Sequence, residues 1–257
     1  MQLLAAVGAV LAVRLVAGLA AVQEAECGIF NSLRIVGGSS SSECEYPWMV
    51  LLYDRSHNTT CGGAIIDHIH ILTAAHCVAF SDDRTHQLTL TSPSDLTVHS
   101  GTSVMNMDTG LAGSVTRLVA SVVTHHGYSP MAIDNDIALV TLTRPIEFDW
   151  CHKPVCLVDG SKTPQMASDC RVVGWGRNSS SGPRQNILKW VDIPVVSDDG
   201  DSGGPLVCQE FDGRFYSYGI VSSGPVECGT SYGLYTKVSR YIAWIEENQR
   251  KWTNGQP

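Results

Sequence analysis

The chain has 257 residues, 44% hydrophobic and 16% charged, with 24 glycines and 11 prolines. That balance excludes a disordered polymer and suits a folded, turn-rich chain with a sizeable apolar core, built as one large all-β unit or as two smaller domains. A formal net charge of -8, from 17 Lys and Arg against 25 Asp and Glu, argues against a nucleic-acid binder, because phosphate contacts need a basic surface.

In chain order, the stretch from Met1 to about Ala20 is dominated by Leu, Ala, Val and Gly. It reads as a signal peptide over residues 1–20, which sends the protein into the secretory pathway. No basic residue precedes the apolar run and Arg14 interrupts it. The alternative is a signal anchor, for which Arg14 near mid-span would be costly in a bilayer. Residues 21–34 contain Cys27 and end at Arg34, just before Ile35-Val36-Gly37-Gly38, and read as a short propeptide. After the serine run Ser39 to Ser42, residues 35–257 read as one unit.

The runs Trp48 to Tyr53, Ala64 to Ile66, Ile137 to Leu142, Arg171 to Val173 and Gly219 to Ser222 are rich in β-formers and bounded by Gly, Pro, Asp or Ser. Several short strands at close spacing imply an all-β sandwich or barrel. Near the end, Val238, Tyr241, Ile242 and Ile245 fall at i, i+3, i+4 and i+7, which predicts a terminal amphipathic helix. Nine cysteines behind an export signal imply a disulfide framework with one thiol left over. Asn58-Thr59-Thr60 and Asn178-Ser179-Ser180 are glycosylation acceptor patterns and predict surface loops.

Three motifs carry chemistry. In Gly200-Asp201-Ser202-Gly203-Gly204-Pro205-Leu206, small neighbours can expose the Ser202 hydroxyl while backbone N–H groups converge as an oxyanion hole. Serine needs a base, and Thr73-Ala74-Ala75-His76-Cys77 offers His76. The base needs an orienting acid. Asp136, in Asp134-Asn135-Asp136-Ile137-Ala138-Leu139, opens an apolar run and is the candidate. His57, His68, His70, His86, His99, His125, His126 and His152 have no comparable constellation. His68 and His70 could share the face of a strand, but no further ligands with zinc-like spacing accompany them, so no metal site is expected.

These motifs, in the order His, Asp, Ser behind Arg34-Ile35-Val36-Gly37-Gly38, resemble the chymotrypsin and trypsin family from Cys27 to about Asn248. Cys61-Gly62-Gly63-Ala64, Gly174-Trp175-Gly176 and Tyr235-Thr236-Lys237-Val238 add to the match. The resemblance implies two antiparallel β-barrels packed face to face, a C-terminal α-helix and an active site between the barrels. It implies a secreted, extracellular serine endopeptidase zymogen with the triad His76, Asp136 and Ser202, an oxyanion hole from the N–H groups of Gly200 and Ser202, and no cofactor. Cleavage after Arg34 by an activating protease would free the Ile35 amino group to pair with Asp201. Partners would be protein or peptide substrates, with no nucleic acid, no membrane after signal cleavage, and a monomeric state. The implied disulfides are Cys61 with Cys77, Cys170 with Cys208 and Cys27 with Cys156. Cys44 and Cys151 are then free to pair with each other, leaving Cys228 unpaired. Ser222, Ser223, Gly224 and Gly233 would line the substrate cleft.

The chain also departs from that family. Between Val195-Val196-Ser197 and Gly200 stand only Asp198 and Asp199, where members normally carry a helix, a loop, cysteines and the base of the specificity pocket. No residue can be assigned to select the substrate side chain. Ser223 stands where a tryptophan usually walls the cleft. The rival expectation is therefore a catalytically impaired homologue that acts by binding, or a truncated splice or gene-model product.

Overall fold

The computed structural model describes residues 27–31, 41–81, 87–104, 114–158, 169–176, 185–193, 202–223 and 233–253. The five β-prone runs all fall on strands, three of them within a residue of both ends, while those at Ala64 and Gly219 belong to strands that begin five and four residues earlier. The strands are β1 (Met49–Asp54), β2 (Thr59–Ile65), β3 (His70–Thr73), β4 (Ala79–Ser81), β5 (Leu88–Leu90), β6 (Leu96–Ser100), β7 (Val115–Thr124) and β8 (Ala138–Leu142). They continue as β9 (Cys156–Leu157), β10 (Cys170–Gly174), β11 (Lys189–Ile193), β12 (Pro205–Gln209), β13 (Phe215–Ser223) and β14 (Leu234–Lys237), before helix α1 (Ile242–Thr253).

Strands β1-β2-β3-β8-β7-β6 close into an antiparallel barrel, β6 returning to pair with β1 from Val50 opposite Ser100 to Asp54 opposite Leu96. Closure leaves no exposed edge. All five residues of β8 are buried, as expected of a strand covered on both faces. The second sheet runs β11-β10-β12-β13-β14, with β9 on β13, while β4 and β5 form a separate ribbon.

This second sheet is the other β layer of the expected trypsin-like fold, followed here through its described residues. Strands β11 and β12 both lie antiparallel to β10, so they run parallel and need a crossover with a return path along the strand. Residues 194–204 are all the chain between them. Fully extended, they reach at most roughly 35–40 Å.

One apolar core runs through both sheets. Trp48, at the mouth of β1, and Phe215, at the start of β13, are fully buried with ring centroids 5.7 Å apart, and Phe30 lies 5.3 Å from Phe215. Residues 27–31 are thereby packed into the body. Gly28 N–H donates to Pro154 O, Phe215 N–H donates to Gly28 O, and the Asn31 amide donates to Cys44 O and Trp150 O at 2.7 and 2.6 Å. Disulfides join Cys27–Cys156, Cys44–Cys151, Cys61–Cys77 and Cys170–Cys208.

The terminal helix begins later than its periodicity predicts. Val238–Arg240 form a 3-10 turn, and α1 starts at Ile242. The apolar face is nevertheless kept, with Val238 and Ile245 both fully buried.

Candidate active site

The first barrel brings His76 and Asp136 together through one strand pairing. Thr73, the last residue of β3, pairs with Ala138, the first of β8, so the residues just beyond and just before those ends must meet. After Thr73 the chain turns through a 3-10 segment, Ala75–Cys77. The Cys61–Cys77 disulfide ties that segment to β2, placing His76 at the rim with its side chain 30% exposed and that of Asp136 1% exposed. Before β8, Asn135 takes a left-handed φ of 53° and directs Asp136 inward. Its amide donates to Gly127 O, and Tyr241 donates its hydroxyl hydrogen to Asn135 Oδ1.

Asp136 is densely held. Its Oδ2 lies 2.7 Å from His76 Nδ1, its Oδ1 accepts the His76 backbone N–H at 2.9 Å, and Ser222 donates its hydroxyl to Oδ2. Thr236 Oγ1 donates to the Asp136 carbonyl at 2.8 Å. Burial pushes the Asp136 carboxyl up, and the hydrogen bonds and positive field from His76, with the Ser222 bond, outweigh burial and hold it below the ordinary 3.8. Burial and the Asp136 charge push the neighbouring Tyr128 phenol up to about 12. An ionised, buried acid on Nδ1 leaves His76 Nε2 as the ring atom that can exchange a proton at the rim.

Ser202 reaches the site from the second sheet, in the turn before β12. Gly62 N–H donates to Ser202 O at 2.8 Å, and Gly203 N–H donates to Val221 O at 2.9 Å. The serine is thus pinned between β2 and β13. Gly203 has φ +81°, and a Cβ there would collide with Thr73 Oγ1 and lie 2.6 Å from Gly62 O and 2.8 Å from Cys77 Sγ. Glycine is required, and its contact with Cys77 sets Ser202 beside the His76 turn. Among the described residues no hydrogen bond joins the Ser202 hydroxyl to His76; such bonds often tighten only when substrate is bound.

The other expected residues divide. Ser222, expected in the cleft, is buried with its hydroxyl on Asp136, while Ser223 is half-buried at the end of β13 and Gly233 precedes β14. Arg34, Ile35, Gly200, Asp201, Gly224, Cys228 and Asn178 lie outside the described residues. Asn58 is an exposed turn residue between β1 and β2. His68 and His70 share no face: His68 sits in the turn before β3, stacked on Phe148, while buried His70 pairs with Asp67 at 2.7 Å. Among the described residues the metal-like grouping is Cys61, His76 and Cys77, whose two sulfurs are bonded to each other. Thr236 and Tyr241 also support this site. Their contacts span long stretches of chain, and no local pattern announces them.

Comparison with known proteins agrees with this geometry. The family model described as Trypsin matches residues 35–199 and 197–245, two pieces that meet where the chain is short before Ser202. Serine protease filzig of Drosophila melanogaster is 30% identical across 86% of this chain and 15% of its own length. The clotting factor G beta subunit of Tachypleus tridentatus is 27% identical across 88% of this chain and 83% of its own. Serine proteinase stubble of Drosophila melanogaster is 31% identical across 88% of this chain and 33% of its own. The chain therefore spans about one seventh of filzig and one third of stubble. A family match over most of the chain, on a barrel that seats His76 against buried Asp136, establishes that this chain belongs to the trypsin family of serine proteases.

Proposed function

We propose that the protein is a secreted serine endopeptidase zymogen that hydrolyses peptide bonds through an acyl-enzyme. Residues 1–20 are its signal peptide, 21–34 its propeptide and 35–257 its protease domain. The observation that carries the reading is the His76–Asp136 pair, with Asp136 buried, ionised and held by three donors at its carboxylate. Ser202 Oγ attacks the substrate carbonyl and its proton passes to His76 Nε2. Asp136 fixes the His76 tautomer and stabilises the imidazolium. The Gly200 and Ser202 N–H groups receive the oxyanion, His76 protonates the departing amine, and water then cleaves the acyl-enzyme by the same route. Activation follows cleavage after Arg34 by another protease, when the Ile35 ammonium pairs with Asp201.

The protein acts outside the cell on protein substrates, as a monomer. Among the described residues no helix is long and apolar enough to cross a membrane. A second reading, a homologue that acts by binding, draws on the short connection between β11 and Ser202. Assay of the chain cleaved after Arg34 against a mixed peptide library separates the two. Hydrolysis that vanishes in His76→Ala supports the protease; a folded, cleaved chain with no hydrolysis supports the binding homologue.

A further inference from the structure

Asp136 stands at the middle of a tight turn in which Ile137 N–H donates to Asn135 O at 2.8 Å, and both of its neighbours lead back to His125. The His125 backbone N–H donates to Ile137 O at 3.1 Å, and its ring Nδ1 accepts the Gly127 N–H at 3.2 Å. Gly127 O in turn accepts the Asn135 amide at 2.8 Å. The three residues are close packed, since a Cβ on Gly127 would lie 3.2 Å from Asn135 Nδ2 and 3.4 Å from His125 Nδ1. Asn135 keeps its left-handed φ of 53°, a conformation that persists where surrounding contacts fix it. The His125 ring is itself seated from the far end of the chain, 5.3 Å from the Tyr241 ring and 5.7 Å from that of Trp244 in α1, centroid to centroid.

We propose that His125 is a positioning residue for the triad, whose neutral ring clamps the turn that aims Asp136 at His76 and whose protonation releases that clamp. For its effect on catalysis this rests on the protease reading. Nδ1 accepts from Gly127 only with its lone pair free, so the proton of the neutral ring sits on Nε2. A second proton, added at Nδ1, sets N–H against N–H and the bond is lost. Burial, and then the charge of His126, hold His125 below the ordinary 6.5. The clamp is therefore complete above that pH and lost as pH falls through the lower value in the fold. The ionisable groups facing His125 are His126, its ring centroid 4.4 Å away, and Tyr241. Beyond them, Glu247 of α1 interacts with His126 and pairs with Lys251 at 2.8 Å, while Arg240, Asp134 and Asp136 act on Tyr241.

The test compares the chain cleaved after Arg34 with two variants. His125→Asn offers Oδ1 in place of Nδ1 and does not titrate; His125→Phe keeps a ring against Tyr241 and Trp244 but has no acceptor. Peptide hydrolysis is followed from about pH 8 to about pH 5. Ionisation of His76 is common to all three chains, so the kcat ratio of parent to His125→Asn isolates His125. That ratio should fall roughly tenfold toward acid with KM unmoved. His125→Phe should be roughly tenfold slow already at about pH 8, and His125→Asn should recover most of that loss. The ratio needs only His125→Asn, so it decides even where His125→Phe does not fold. A readout without hydrolysis is the low-field proton NMR signal of the His76 Nδ1–H bonded to Asp136, in the full chain carrying Ser202→Ala. It should broaden or vanish in His125→Phe and persist in His125→Asn. If hydrolysis is absent while this signal follows His125, the protease reading falls and the clamp stands. A flat ratio in an active enzyme, or a signal indifferent to a folded His125→Phe, overturns the clamp.

Discussion

At the scale of single residues, two buried carboxylates, Asp136 in the proposed triad and Asp54 away from it, are held by the same chemistry. Asp136 is held low by His76 and Ser222 against the cost of burial. Asp136→Asn should keep the fold but present the wrong tautomer of His76, lowering kcat by about four orders of magnitude, the loss seen for the acid of the triad template; steady-state kinetics across pH checks it. Asp54 has no part in the site. Burial raises its carboxyl, but donors from Ser56, Thr91 and His57 bring it down to about 2. Because its value in the fold lies below the ordinary 3.8, its contribution is complete above that pH and is lost as pH falls through about 2. Asp54→Asn should cost roughly 1–3 kcal/mol at neutral pH by leaving donors poorly matched. In thermal melts the gap from the parent should narrow under strong acid, and a constant gap would contradict the assignment. The motif around each triad residue was legible because small neighbours and a strand start are local features. The Ser222 and Thr236 contacts to Asp136 span 86 and 100 residues and exist only once the two sheets meet.

At the scale of elements, strand runs were readable because β-branched and apolar residues stand between turn formers. Trp48 to Tyr53 became β1 (Met49–Asp54), and Arg171 to Val173 lies inside β10. The end of the chain was readable in its face but not in its first turn. Periodicity reports which side chains face the core, and a 3-10 turn at Val238–Arg240 buries Val238 as well as an α-helical turn would. The helix is fastened by that face and by Gln249, whose amide donates to Asp67 at 2.6 Å. Its exposed pairs, Glu246 with Arg250 and Glu247 with Lys251, contribute little in water. Ile245→Ala should therefore cost about 2–5 kcal/mol and lower Tm on the order of 10 °C, as calorimetry would register.

At the scale of the whole molecule, a closed barrel and a second sheet share one apolar core, and the connection between β11 and β12 is short. The shortness itself was visible in the sequence, since only Asp198 and Asp199 separate Ser197 from Gly200. That β11 and β12 pair on either side of β10 was not, because strand order depends on pairings between distant segments. Residues 27–31 are bound to the body by Cys27–Cys156, by backbone hydrogen bonds and by the Phe30 ring packing. After cleavage following Arg34, the proposed propeptide should stay attached in non-reducing mass spectrometry and separate only on reduction. The proposed triad is competent beside this short connection. The most direct measurement is stoichiometric labelling of the cleaved chain by a fluorophosphonate, with Ser202→Ala as control. The account predicts about one label per chain in the parent and none in the variant; a folded, cleaved parent that takes up no label would contradict it.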